Sequence, residues 1–177
     1  MKVKKLNIVL FGDPVLREVA KPVNVFHKKL DILIDSMNYT LSLREDGAAI
    51  AANQIGVLKR ITVINYEGEY FEMINPEIIE KEGGLVDNYE GCLSYPGYIG
   101  LVPRYEKVKV KYLDRRGDPH IIERTGSMAR CIQHETDHLD GILFIDRMKE
   151  IMLTHSETKT TIELAKVIEF TGIQKTA

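Results

Sequence analysis

The run His134-Glu135-Thr136-Asp137-His138 carries the strongest chemical signal in the chain. On a helix, residues four apart share a face about one turn apart. Both imidazoles can therefore reach one metal ion while Glu135 stands beside the open coordination position. That arrangement suits metal-assisted hydrolysis, but such sites usually need a third protein ligand. His155 is the only later His and lies in a segment without a matching turn signal. Cys92, in Glu90-Gly91-Cys92-Leu93-Ser94, follows an extended segment and precedes Tyr95-Pro96-Gly97, where a strand end could present its sulfur. By residue type alone Cys92 reads equally as a ligand and as a small buried hydrophobe. Cys131 shares part of the His134 face, but one helix supplying three ligands would crowd the open position, so Cys131 reads as core.

Attack on a carbonyl also needs donors for the oxyanion that forms. Gln54 offers a side-chain NH₂, and the backbone N–H of Leu93 directly follows Cys92. Gly91 would let backbone and substrate approach closely.

The elements that must position these groups form an α+β pattern. Gly12-Asp13-Pro14 reads as a turn leading into a short helical segment, with Asp13 as cap and Pro14 at the first helical position. Leu30, Leu33, Ile34, Met37 and Leu41 recur at helical spacing and predict a helix over 28–43. The stretch Ala48-Ala49-Ile50-Ala51-Ala52 has no polar face and must be buried. Segments 61–66, 71–74 and 108–112 are rich in β-branched and aromatic residues and read as strands. The turn signals Glu67-Gly68, Gly83-Gly84 and Arg116-Gly117-Asp118-Pro119 leave no room for crossover helices, so the sheets should be mainly antiparallel. A second helix, bearing the His-Glu-His motif at the centre of the fold, is expected from a Ser127 cap to Asp140, with Gly141 ending it. In the tail, 162–168 is helix-like up to Gly172.

With 177 residues, 44% of them hydrophobic, the chain suits one domain over 1–177, with 150–177 as a C-terminal tail. Its 24 basic and 26 acidic residues leave a formal charge of −2, so no global field favours nucleic acid. No apolar run reaches the length of a membrane span, and the N-terminus lacks a signal-peptide core, which reads as a cytoplasmic protein.

Taken together, these motifs resemble those of the peptide deformylases, hydrolases that remove the N-terminal formyl group from new proteins. Three family motifs stand in order: Gly47-Ala48-Ala49-Ile50-Ala51-Ala52-Asn53-Gln54, Glu90-Gly91-Cys92-Leu93-Ser94 and Gln133-His134-Glu135-Thr136-Asp137-His138. The resemblance implies that Cys92, His134 and His138 hold one divalent metal, commonly Fe²⁺, with Zn²⁺ or Ni²⁺ able to replace it in purified protein. It implies that Glu135 is the general acid/base, and that Gln54 and the Leu93 N–H bind the formyl oxygen. Its substrates would be N-formyl-methionyl peptides, including nascent chains at the ribosome, with formate released during N-terminal processing. Glu90, Gln133 or Asp137 would take the other N–H groups of the histidines.

Gly47, Ala48, Ala49, Glu90, Arg130 and Cys131 are the candidates for the substrate pocket. Several positions depart from the family pattern. Ala49 replaces a second Gly, and Asn53 stands where Pro is frequent. Arg130 replaces an apolar residue one turn before His134, and Ser127 and Ala48 are smaller or more polar than usual. A cation there would favour a polar or anionic first residue; the contrasting expectation is that Arg130 reaches solvent. Arg104 is expected to pair with Asp46 and brace the first motif, or to touch peptide. The tail over 150–177, with three Lys against four Glu, argues against docking on the ribosome through that segment. The competing readings are an HExxH metallopeptidase and a metal-binding module without catalysis.

Overall fold

Helix α1 (Lys28–Ser42) forms where the apolar stripe predicts it, and His27 caps it by accepting the Leu30 N–H on Nδ1 at 3.1 Å. Its buried face, Leu30, Ile34, Met37 and Leu41, packs on Ile50, Ile61, Val63 and Ile74. The computed structural model describes residues 2–171. Among them, seven strands make one sheet: β1 (Ala49–Ala51), β2 (Ile61–Tyr66), β3 (Glu69–Cys92), β4 (Tyr95–Leu113), β5 (Pro119–Thr125), β6 (Met152–His155) and β7 (Thr161–Glu163). Every pairing between them is antiparallel, in the order β1-β2-β3-β4-β6-β7, with β5 joining β4 at a separate stretch. The α+β pattern with an antiparallel sheet is as expected.

Two long strands organise this sheet. Gly83-Gly84, expected as a turn, instead lies inside β3: both residues have positive φ, and the register shifts between Glu82 and Leu85 while pairing with β4 continues. The irregularity bends the ribbon without ending it. The expected strands over 71–74 and 108–112 are therefore pieces of much longer ones. Because β4 is long, its start can pair with β6 at Tyr98 and Ile99 while its end pairs with β5.

Helix α2 (Gly126–Leu139) lies across the sheet. Met128, Ala129 and Ile132 pack into a cluster with Ala49, Ile64, Met73, Val108 and Val110. Burial of each larger side chain contributes about 1.5–3 kcal/mol. Ser127 does not cap this helix; Thr125 occupies the cap position and Ser127 lies exposed in the first turn. Gly141 follows the helix with φ 72°, the left-handed terminator the sequence calls for. A short helix, α3 (Phe144–Arg147), leads to the tail. There β6 and β7 form a hairpin on β4, with Leu153 fully buried, before α4 (Leu164–Thr171). The expected helix-like segment thus starts two residues late, because Ile162 belongs to β7; Gly172 lies outside the described residues.

Candidate metal centre

Spacing along α2 puts Ser127, Arg130, Cys131, His134 and Glu135 on one wall of a 440 Å³ cleft, and β3 supplies Cys92 opposite. A register irregularity between Gly91 and Cys92 ends the β3–β4 ladder just where the cysteine must turn towards the helix. The ligand atoms of Cys92, His134 and His138 all lie within 4.8 Å of one another. Cys92 Sγ is 3.2 Å from His138 Nε2. Both histidines are buried and Cys92 is half-buried.

The donor set fits a divalent transition metal: a thiolate and two imidazoles suit iron, zinc and nickel alike. Burial, then the positive charges of His134 and Arg104, hold His138 well below its usual pKa, so its ring is neutral and keeps a free lone pair. Its Nδ1 is buried without a hydrogen-bond partner, which leaves an ion on the Nε2 side as the natural anchor for the ring. For His134, burial opposes the charged form, but contacts with Cys92 and Glu90 outweigh it and raise the pKa.

Glu90 organises the surroundings. Its carboxylate accepts from His134 Nδ1 at 2.9 Å, from Arg104 Nε and Nη2 at 2.9 and 3.0 Å, and from Arg130 Nη1 at 2.9 Å. Burial works against its charge, but His134 and Arg104 pull its pKa down to about 2. An ionised Glu90 must accept, so a His134 proton sits on Nδ1, which leaves Nε2 as the ring nitrogen that a metal would take in place of a proton. Asp137 does not touch a histidine. It pairs with Arg104 and Arg147, while Gln133 bonds the backbone N–H and carbonyl of Tyr105. Arg104 pairs with Glu90 and Asp137, while Asp46 pairs with Arg44. The expected Arg104–Asp46 pair is therefore absent: β4 points Arg104 at the helix, whereas Asp46 lies in an exposed turn.

Glu135 is buried, and burial pushes its carboxyl up to about 7 despite the His134 charge and the Thr62 hydroxyl, which donates to Oε2 at 3.3 Å. A cation held beside it would lower that value. Gln54 is locked: its Oε1 accepts the Ala51 N–H at 2.8 Å, which aims Nε2 at Ser94 Oγ (3.2 Å) and Cys92 Sγ (3.4 Å). Leu93 lies in the turn between β3 and β4 and also lines the cleft. Asn53 ties the first motif to the metal helix by donating Nδ2 to the His138 carbonyl at 2.5 Å.

Among the pocket candidates, Ala48, Ala49, Glu90, Arg130 and Cys131 line the cleft. Gly47 stands apart from its wall; a Cβ there would meet Leu41 Cδ1 at 2.8 Å, so its small size serves the packing of α1. Arg130 neither reaches out to solvent nor stands as an isolated cation. Besides Glu90 it donates to the carbonyls of Val102 (2.8 Å) and Val86 (2.6 Å). Thr62 and Ser94 were missed by sequence reasoning. Ser94 lay within a quoted motif, but Thr62 had no signal beyond being a polar residue in a buried strand.

On chemistry alone, an antiparallel α+β frame that brings Cys92, His134 and His138 together beside a buried carboxyl suits a hydrolytic metalloenzyme. The family model described as polypeptide deformylase matches residues 5–153. The peptide deformylase of Heliobacterium modesticaldum is 51% identical over 142 residues, covering 80% of this chain and 93% of that protein. The crystal structure of peptide deformylase from Thermotoga maritima aligns with a TM-score of 0.80 at 40% identity, covering 82% of this chain and 99% of that one. That of a Synechococcus elongatus peptide deformylase in complex with actinonin gives 0.82 at 36% identity, covering 99% and 93%. The chain belongs to the polypeptide deformylase family, whose members are metal-dependent enzymes. No helix among the described residues is long and apolar enough to cross a membrane.

Proposed function

We propose that the protein removes the N-terminal formyl group from formyl-methionyl peptides and releases formate, acting as one catalytic domain over 1–177. The observation that carries this reading is the convergence of Cys92, His134 and His138 beside Glu135, with the Gln54 amide aimed at the same point. Cys92 on β3, with His134 and His138 on the central helix, would hold one divalent ion, Fe²⁺ in the native enzyme and Zn²⁺ or Ni²⁺ in some preparations. Such an ion, when bound, supplies Lewis acidity towards water and the formyl carbonyl.

The chain's own residues do the rest. Gln54 Nε2 and the Leu93 N–H donate to the formyl oxygen as negative charge grows there. Glu135 takes a proton from the attacking water and returns it to the peptide nitrogen as the C–N bond breaks; a buried carboxyl at hydrogen-bonding reach of both serves each direction. Nascent chains in the cytoplasm are the natural source of such substrates, reached without a basic tail.

Formate release from a formyl-Met peptide, with Fe²⁺ kept reduced, tests the reading. Glu135→Ala should abolish turnover while metal remains bound, and retained turnover would overturn the assignment of Glu135. Cleavage of internal amides without a formyl group would point to a peptidase instead.

A further inference from the structure

The tail hairpin of β6 and β7 is tied into the molecule more firmly than a terminal segment usually is. Leu153 is fully buried in one apolar cluster with Tyr95, Val102, Phe144 and Val167, and Cys92 packs against that cluster. β6 pairs with β4 at Tyr98 and Ile99, and the Ser156 N–H donates to the Gly97 carbonyl at 2.8 Å. At the hairpin turn His155 Nδ1 accepts the N–H groups of Glu157 and Thr158, both at 3.3 Å, and its ring stands edge-on to Tyr98 with centroids 5.3 Å apart. The rings continue inward. Tyr98 meets Tyr95 and Tyr95 meets Phe144, each at 5.9 Å, and Phe144 stacks on the His134 ring at 6.2 Å. The family match ends at residue 153, so most of the hairpin lies beyond it.

We infer that this hairpin is a positioning element of the metal centre, holding Cys92 and His134 in place through Tyr95 and Phe144. The inference rests on the metal reading of Cys92, His134 and His138. Cys92 is the last residue of β3, and its partner across the ladder is Tyr95, the first of β4. At that point β3 pairs with β4 alone, so backbone bonds fix the cysteine from one side and side-chain packing does the rest. His134 has a second anchor, because Glu90 holds its Nδ1. Cys92 is therefore the ligand that depends most on the hairpin. Release of a bound ion needs a ligand to swing away, and in a close-packed interior it swings only when its neighbours shift. Loosening Leu153 gives Tyr95 and Phe144 that room.

The experiment follows zinc release from the Zn²⁺-loaded full-length protein into excess chromogenic chelator, under conditions where each variant is folded by circular dichroism. Leu153→Ala should speed release by about tenfold or more, and Leu153→Ile, which keeps the volume, should restore the wild-type rate. Leu30→Ala is the control, since Leu30 is as deeply buried but lies in the α1 cluster, which contains none of the three ligands. It also leaves a cavity, yet its release rate should stay within about threefold of wild type. His155→Ala removes the Tyr98 contact without opening the core and should speed release in the same direction, which keeps the test available if Leu153→Ala does not fold. Release unchanged in both hairpin variants, or sped as much by Leu30→Ala as by Leu153→Ala, overturns the inference while leaving the metal centre intact. A protein that takes up no zinc overturns the metal reading itself.

Discussion

The Glu90 carboxylate meets His134 Nδ1 at 2.9 Å while it also binds Arg104 and Arg130. One buried anion therefore sets the orientation of an imidazole on α2 and joins α2 to the β3–β4 ribbon. Neither duty can be lost without the other, because both arginines and the ring share the same two oxygens.

Glu90→Gln keeps the shape but removes the charge that selects the His134 tautomer. Metal affinity should fall by about 10- to 100-fold, read by competition with a chromogenic chelator. Stability should fall as well, since Arg104 and Arg130 would stay buried with less compensation. Unchanged metal affinity would show that packing alone orients the ring.

The two cysteines should separate chemically when metal is removed. Burial, followed by the Glu135 and Glu90 charges, pushes the Cys131 thiol well above its usual pKa and keeps it protonated. Cys92 lines the cleft and would lose its metal partner. Mass spectrometry after brief alkylation of chelated protein should find label on Cys92 and little on Cys131; equal labelling would contradict their different environments.

Asp114 organises the turn between β4 and β5 by accepting the N–H groups of Arg116 and Asp118 at 2.8 and 3.0 Å. Desolvation acts to raise its pKa, but these bonds, with His120, bring it down from 3.8 to about 2. A depressed folded-state value means the stabilisation is present above pH 3.8 and is lost as pH falls through about 2. Asp114→Ala should lower stability at neutral pH by about 1 kcal/mol. It should also flatten the acid limb of a Tm-against-pH curve; an unchanged limb would refute this account.

Gly141 combines φ 72° with a backbone so close to Arg17 that an added Cβ would lie 2.4 Å from the Arg17 carbonyl oxygen. Gly141→Ala should destabilise the protein by more than about 1 kcal/mol in urea unfolding. Because the contact joins the end of α2 to the Pro14–Arg17 turn, metal affinity should weaken with it. A neutral substitution would mean that the turn can withdraw freely.

Local rules made much of this protein legible. The positions of His134, Glu135 and His138 on one helix followed from a 3.6-residue period, and the antiparallel pairing followed from connections too short to cross over. The turns at Glu67-Gly68 and Arg116-Gly117 were likewise readable, because turn chemistry involves neighbours in sequence. Gly83-Gly84 misled because the same positive-φ geometry serves a turn or a bend within a strand, and the partner strand decides between them. The partners of Arg104 and Arg130 lay beyond local rules altogether. Glu90 is 14 residues from Arg104 and 40 from Arg130 in sequence, and only the register of β3 on β4 and the seating of α2 bring the three together. A charge read from sequence has a sign but no neighbours; folding supplied Arg130 with Glu90 and with the carbonyls of Val102 and Val86.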